Sequence, residues 1–167
     1  KEEVELCKVL EEVVAKCAFR DDDINATSSE ETMRQKGPSI EVKCSPEITV
    51  YADRQLLLMA VEELVDNSIK FNNNMNKRIK LFHYEEGAFD VVAVADNGVG
   101  VKEEESNRIF ETFYQVDDYF TGQIEGWGLG LALVRRIIAL HKGHIALRSQ
   151  YGVGTIISLK FPKKANE

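Results

Sequence analysis

In the run "MAVEELVDNSIKF", Glu63, Asn67 and Lys70 stand four and three residues apart, which sets an acid, a neutral amide and a cation on one helical stripe. The same stripe also reads as a solvated face held by Glu–Lys pairing. Asparagine, however, is a poor residue for mid-helix. Its carbonyl oxygen suits a hard cation such as Mg²⁺, which keeps several waters and bridges protein to phosphate, and Lys70 adds charge for the phosphates themselves. A second constellation is "VADNGVGV". Asp96 follows Val92 and Val94 on one face of a strand, so its carboxylate is directed at a mostly apolar layer, where an unpaired charge is expensive. The exocyclic amino group of adenine is a suitable donor for it. Gly98 and Gly100 permit close backbone approaches, although a D-x-G-x-G turn alone is unremarkable. A third is "GWGLGLALVRRI", in which Gly126, Gly128 and Gly130 precede and open a helix. Free backbone N–H groups and the helix dipole bind phosphate in such places.

These groups need elements to position them. Apolar residues at helical spacing (Val4, Cys7, Leu10, Val14, Cys17) predict a first helix from Glu2 to Phe19. The polar stretch Asp21 to Glu31 reads as a loop, followed by a short segment from Thr32 to Lys36. Ser39 to Cys44 and Ile48 to Tyr51 read as two strands of a hairpin around Pro46. Asp53 caps a long helix to about Phe71, free of Gly and Pro. Residues 78–85 and 88–96 form an antiparallel pair through Glu86-Gly87. Residues 97–127 are mostly irregular, interrupted by a short helical "NRIFETF", and a loop of that length is usually functional. A helix from Gly128 to Lys142 ends at Gly143, and "HIALRSQ" with "TIISLKF" close the chain as a hairpin. Helices on one face of a mixed, largely antiparallel sheet, an α/β (α+β) two-layer sandwich, is the architecture this order favours.

The 167 residues suit a single domain, 1–167, and 44% hydrophobic composition is ordinary for a globular protein. No apolar run reaches membrane-spanning length, so the domain is expected to make no direct membrane contact. A net charge of −7 argues against a general nucleic-acid binder, which needs clustered cations. Cys7, Cys17 and Cys44 match neither a zinc site nor a redox pair, and reduced cytoplasmic thiols are the default expectation. The start at Lys1, without methionine or signal-like segment, suggests an excised part of a longer polypeptide. Neither a Walker lysine motif nor a Rossmann fingerprint is present.

"ELVDNSIKF", "DNGVG", "RIFETFYQ", "GWGLGLALVRRIIALHKGHI" and "GVGT" occur in the order of the asparagine box, first glycine box, phenylalanine box, second glycine box and terminal glycine-threonine turn of sensor histidine kinases. The chain resembles their catalytic ATP-binding domain over nearly its whole length. The resemblance implies the Bergerat-type sandwich shared with gyrase, an ATP-dependent heat-shock chaperone and MutL, with ATP between the asparagine-box helix and a lid. By position, Asn67 would hold Mg²⁺; Lys70 and Phe71 would border the phosphates and ribose; Asp96 would take the adenine amino group. Gly98 and Gly100 would shape the base pocket. Gly126, Gly128, Leu129, Gly130 and Leu131 would form the hinge and phosphate loop of the lid, and Thr155 would lie near the base. Phe110 and Phe113 would anchor the lid or meet a partner domain, and Arg108 would reach phosphate. The segment Asp117 to Glu125 has no basic residue and three acids, unlike many lids of this kind, and Trp127 is bulky where small residues are common.

The resembled family phosphorylates a histidine followed by an acidic residue on a separate helical hairpin. His83, His141 and His144 precede Tyr84, Lys142 and Ile145, so none fits. His83 reads as a structural strand residue, and His141 and His144 as helix-end residues, where a cation is mildly favourable. The expected partners are therefore a dimerisation/phosphoacceptor domain of the same protein and, after it, a response regulator receiver domain. Two alternatives stand beside transfer. Glu63, four residues before Asn67, could activate water in an ATP hydrolase of the gyrase, chaperone and MutL kind. An ATP-dependent binding switch is the other.

Overall fold

A computed structural model describes residues 1–25, 37–114 and 128–164, with side chains described through Cys17 in the first stretch. The elements are β1 (Glu2–Glu5), α1 (Leu6–Asn25), β2 (Ser39–Lys43), β3 (Thr49–Ala52), α2 (Arg54–Lys70), β4 (Arg78–Glu86), β5 (Phe89–Asp96), α3 (Gly130–Leu140), β6 (His144–Gln150) and β7 (Gly154–Pro162), with a 3₁₀ turn at Glu103–Glu105. Five strands make one sheet in the order β2-β4-β5-β7-β6, and β1 pairs with β3 in a separate ribbon. Among the described residues, only β2–β4 is a parallel sheet pairing. The sandwich expected from element order is the one observed.

Register explains the layering. Opposite one another across β4, β5, β7 and β6 lie Leu81, Val94, Ile157 and Leu147, and one step along lie Val92, Leu159 and Ile145. That face joins a single apolar core with Leu57, Val61, Leu64 and Val65 of α2, Val134, Ile137 and Ile138 of α3, and Leu6, Val9, Leu10 and Val13 of α1. Each fully buried Leu or Ile of this kind contributes roughly 1.5–3 kcal/mol. Asp53 caps α2 as expected, its Oδ1 accepting from Leu56 N–H at 3.1 Å. No helix among the described residues is long and apolar enough to cross a membrane.

Several expectations are corrected. The first helix begins at Leu6, because Glu2–Glu5 pair antiparallel with Thr49–Ala52 and Val4 enters the core from a strand. It also continues through Asp21 to Asn25, a stretch with no Gly or Pro to stop it. The hairpin of Ser39–Cys44 with Ile48–Tyr51 does not form: β2 pairs with β4 and β3 with β1. A parallel pair needs a long crossover, here supplied by β3 and α2. The last helix starts at Gly130 rather than Gly128, and Lys142 rather than Gly143 takes the left-handed conformation after it (φ 58°). Gly143 instead admits the β7 backbone, since a Cβ there would stand 2.1 Å from Lys160 O.

Cys7 and Cys44 are joined in a disulfide, against the expectation of free thiols. The bond staples the start of α1 to the end of β2, two places brought together by long-range strand pairing and therefore invisible to cysteine spacing. Cys17 is buried in the core. The segment from Thr32 to Lys36 lies outside the described residues.

Candidate functional site

The polar stripe of α2 faces the opening of α3. At Gly130, the first residue of α3, a Cβ would stand 2.4 Å from Glu63 Oε2 and 3.4 Å from Asn67 Nδ2, so both side chains lie directly against that helix N-terminus. A carboxylate is well placed there, because the helix dipole and its orphan N–H groups favour an anion. Asn67 donates its amide to Glu63 O at 2.8 Å, which directs the carbonyl oxygen of the side chain away from the helix backbone. A neutral oxygen beside a carboxylate is a donor set that suits a hard cation, completed by water and phosphate. Lys70, in the last turn of α2, lies over the ring of the C-capping Phe71, 5.6 Å from its centroid.

Asp96 ends β5 one helical position further along. Its Oδ2 accepts from Ser68 Oγ at 3.0 Å and its Oδ1 from Gly98 N–H at 2.8 Å. Burial nevertheless outweighs these bonds and the one from Thr155, and it holds the carboxyl above its ordinary value. Thr155 stands opposite Asp96 in the β5–β7 ladder and shares a hydroxyl contact of 2.9 Å with Ser149. Gly98 packs under Phe71 O, where a Cβ would stand at 2.8 Å. Gly100, at φ 71°, turns the chain so close to Gln150 O that only glycine fits. The expected base-side residues are thus gathered at one end of α2 and the expected phosphate-side residues along its flank.

Main-chain contacts join the chain on either side of residues 115–127. Phe113 N–H donates to Gly128 O at 3.0 Å, and Gly128 (φ 66°) backs onto Tyr114 O so closely that a Cβ would stand at 2.7 Å. Phe113 itself is left-handed (φ 63°), an uncommon conformation for a bulky residue, and is 70% exposed. "NRIFETF" is accordingly not a helix. Arg108 and Ile109 N–H both bond Glu105 O and Glu111 N–H bonds Arg108 O, successive tight turns that the left-handed Phe113 terminates. Phe110 packs on the core, whereas Arg108 lies over the Tyr114 ring at 4.3 Å. Gly126, Trp127 and the acidic run Asp117 to Glu125 lie outside the described residues. Beside the α2–α3 contact an open groove of about 860 Å³ is lined by Glu63, Phe110, Leu129, Gly130, Leu133 and Arg136. Leu131 turns inward against the core.

Residues 52–165 match the model of the family described as histidine kinase-, DNA gyrase B-, and HSP90-like ATPase. The chain belongs to that family. Among curated relatives of this ATPase domain, the sensor-like histidine kinase SenX3 of Mycolicibacterium smegmatis is 32% identical over 147 residues, 84% of this chain and 38% of that protein. The methanogenesis regulatory histidine kinase FilI of Methanothrix harundinacea is 37% identical over 114 residues, 68% of this chain and 12% of that one. The chain therefore spans well under half the length of either relative. Among solved structures, the mycobacterial sensor histidine kinase MprB shares the fold with a TM-score of 0.78 at 22% identity, covering 99% of this chain and all of that one. Full-length ShkA in complex with AMPPNP aligns with a TM-score of 0.73 at 26% identity, over 98% of this chain and 32% of that one.

Some participants in the ATPase domain escaped sequence reasoning. Ser68 is a buried hydroxyl on the otherwise apolar face of α2, and that anomaly was the available signal. Asn72 and Asn97 gave none, because they bond each other across 25 residues of sequence. His83 is structural as expected, its Nε2 3.2 Å from Asp90 Oδ1. His141 is not a helix-end cation: it is buried, with Nδ1–H donating to Ile137 O at 2.8 Å and Nε2 accepting from Asp53 N–H at 2.9 Å, an arrangement that needs the neutral ring.

Proposed function

We propose that this single domain, residues 1–167 of a longer chain, binds Mg²⁺-ATP between α2 and α3. It donates the γ-phosphoryl group to a histidine on a separate dimerisation/phosphoacceptor domain, from which a response regulator receiver domain takes it. The observation that carries the reading is the placing of the Glu63 carboxylate and the Asn67 side-chain amide against Gly130, at the N-terminus of α3. Asp96 accepts the adenine amino group, with Gly98, Gly100 and Thr155 around the base. Lys70 and Phe71 border the phosphates and ribose. Gly126, Gly128, Leu129, Gly130 and Leu131 form the hinge and phosphate loop. Asn67 holds Mg²⁺, which when bound supplies charge neutralisation across the phosphates. In the transfer, the acceptor imidazole nitrogen forms a bond to the γ-phosphorus as the bond to the β,γ-bridging oxygen breaks, ADP departs, and the imidazole proton passes to a base outside this chain. The work of the domain is positioning and charge stabilisation.

Transfer of γ-phosphate label to the histidine of an added native acceptor domain tests the reading. Asn67→Asp is expected to abolish labelling. Steady phosphate release by the domain alone, removed by Glu63→Gln, identifies a hydrolase in its place, a role the Glu63–Gly130 contact would also serve. Nucleotide binding without either product identifies a switch.

A further inference from the structure

Asn97 is the residue between the expected adenine-reading acid and Gly98, and its hydrogen bonds tie that turn to the distant stretch 72–78, which leaves α2 and enters β4. Its Oδ1 accepts from Asn72 Nδ2 at 2.9 Å and from Arg78 N–H at 2.7 Å, and its Nδ2 donates to Asn76 O at 3.0 Å. The main chain is engaged as well: Asn97 N–H donates to Arg78 O at 3.2 Å and Asn97 O accepts from Asn74 Nδ2 at 2.9 Å. Asn72 is 3% exposed and its own Oδ1 accepts from Asn74 N–H at 3.0 Å. Two residues beyond Asn97, Val99 N–H bonds Phe71 O, at the C-cap of α2. The loop after Asp96, the exit from α2 and the entry to β4 are thus laced at one side chain.

We propose that Asn97 is a positioning residue for nucleotide recognition, fixing the Asp96 carboxylate against α2 so that base and phosphates are read in register. The inference rests on the proposed role of Asp96 and goes beyond it. Two of the three bonds that orient Asp96 come from groups the clasp controls, Ser68 on α2, four residues before Asn72, and Gly98 N–H, the residue after Asn97; the third comes from Thr155 on β7. Without the Asn97 side chain, α2 and the glycine turn lose their common anchor, and the carboxylate loses the fixed orientation that distinguishes an amino donor from a carbonyl acceptor. Asn67 and Lys70 keep their place on α2, so the phosphate end is spared.

Calorimetry with ADP and IDP, whose bases differ at C6 (amino donor against carbonyl acceptor) and at N1 (acceptor against N–H donor), separates the ends. Wild type is expected to prefer ADP. Asn97→Ala is expected to lower ADP affinity about tenfold with little change for IDP. Asn97→Asp, which keeps the acceptor toward Asn72 and Arg78, restores most of the preference. Equal loss for both nucleotides, or a lower melting temperature with the ADP/IDP ratio intact, overturns the positioning role and leaves Asp96 standing. A wild-type protein with no preference for ADP overturns the reading of Asp96 and the clasp's role with it. Should Asn97→Ala fail to fold, Asn72→Ser removes the shared bond from the other side and is judged by the same ratio.

Discussion

At the scale of single residues, Asp96 carries the clearest pH signature. Burial raises its carboxyl above the ordinary 3.8, more than the Gly98, Ser68 and Thr155 bonds lower it. A raised acid stabilises the unliganded fold at pH below its unfolded value, and the contribution is lost as pH rises through the raised folded value. An amino donor reverses the preference by favouring the carboxylate. ADP affinity is therefore expected to increase with pH across that window, and Asp96→Asn to flatten both the affinity and the stability profiles. Titration calorimetry and denaturant melts at a series of pH values measure the two. An affinity profile with the same slope in the variant would place the ionisation elsewhere. Asp96 was legible in the sequence because a charge ending a valine-rich strand is anomalous. Ser68 left only the signal of a hydroxyl on an apolar helix face, and Asn97 left none, since an asparagine is unremarkable until its partner is known.

At the scale of elements, the site depends on how α2 and α3 are set against one another. One end of the contact is the Glu63–Asn67–Gly130 cluster; the other is a latch in which His141, capping α3, accepts the N–H of Asp53, the cap of α2. His141→Phe keeps the ring volume beside Phe161, whose centroid is 5.2 Å away, but leaves a buried donor and a buried carbonyl without this partner. The expected loss is about 1–3 kcal/mol in equilibrium unfolding. A variant as stable as wild type would reduce the latch to ring packing. Helical periodicity located both helices, and Asp53 announced the start of α2. The strand of Glu2–Glu5 and the turns over Asn107–Phe113 were misread because a ladder with β3, and a Phe113 bond to Gly128, override local pattern.

At the scale of the molecule, the Cys7–Cys44 disulfide closes a separation of 37 residues that spans α1 and β2. In the chain-entropy account a closure of that length stabilises by roughly 4 kcal/mol. Reduction by dithiothreitol is expected to lower the unfolding midpoint by a corresponding amount, and Cys7→Ser to show the lowered midpoint with no further response to reductant. An identical wild-type midpoint with and without reductant would show that the bond contributes nothing in solution.

The sequence by itself determined the local vocabulary: which residues bear oxygen donors or charge, which segments are helical or extended, and the two-layer class that their order favours. Those properties follow from side-chain chemistry and from spacing within a few residues. The tertiary structure alone decided that β2 runs parallel to β4, that Cys7 reaches Cys44, and that His141 and Asn97 bond groups far along the chain. Such partners are selected when the whole core closes and buried polar groups must be satisfied together, a condition no short window of sequence contains.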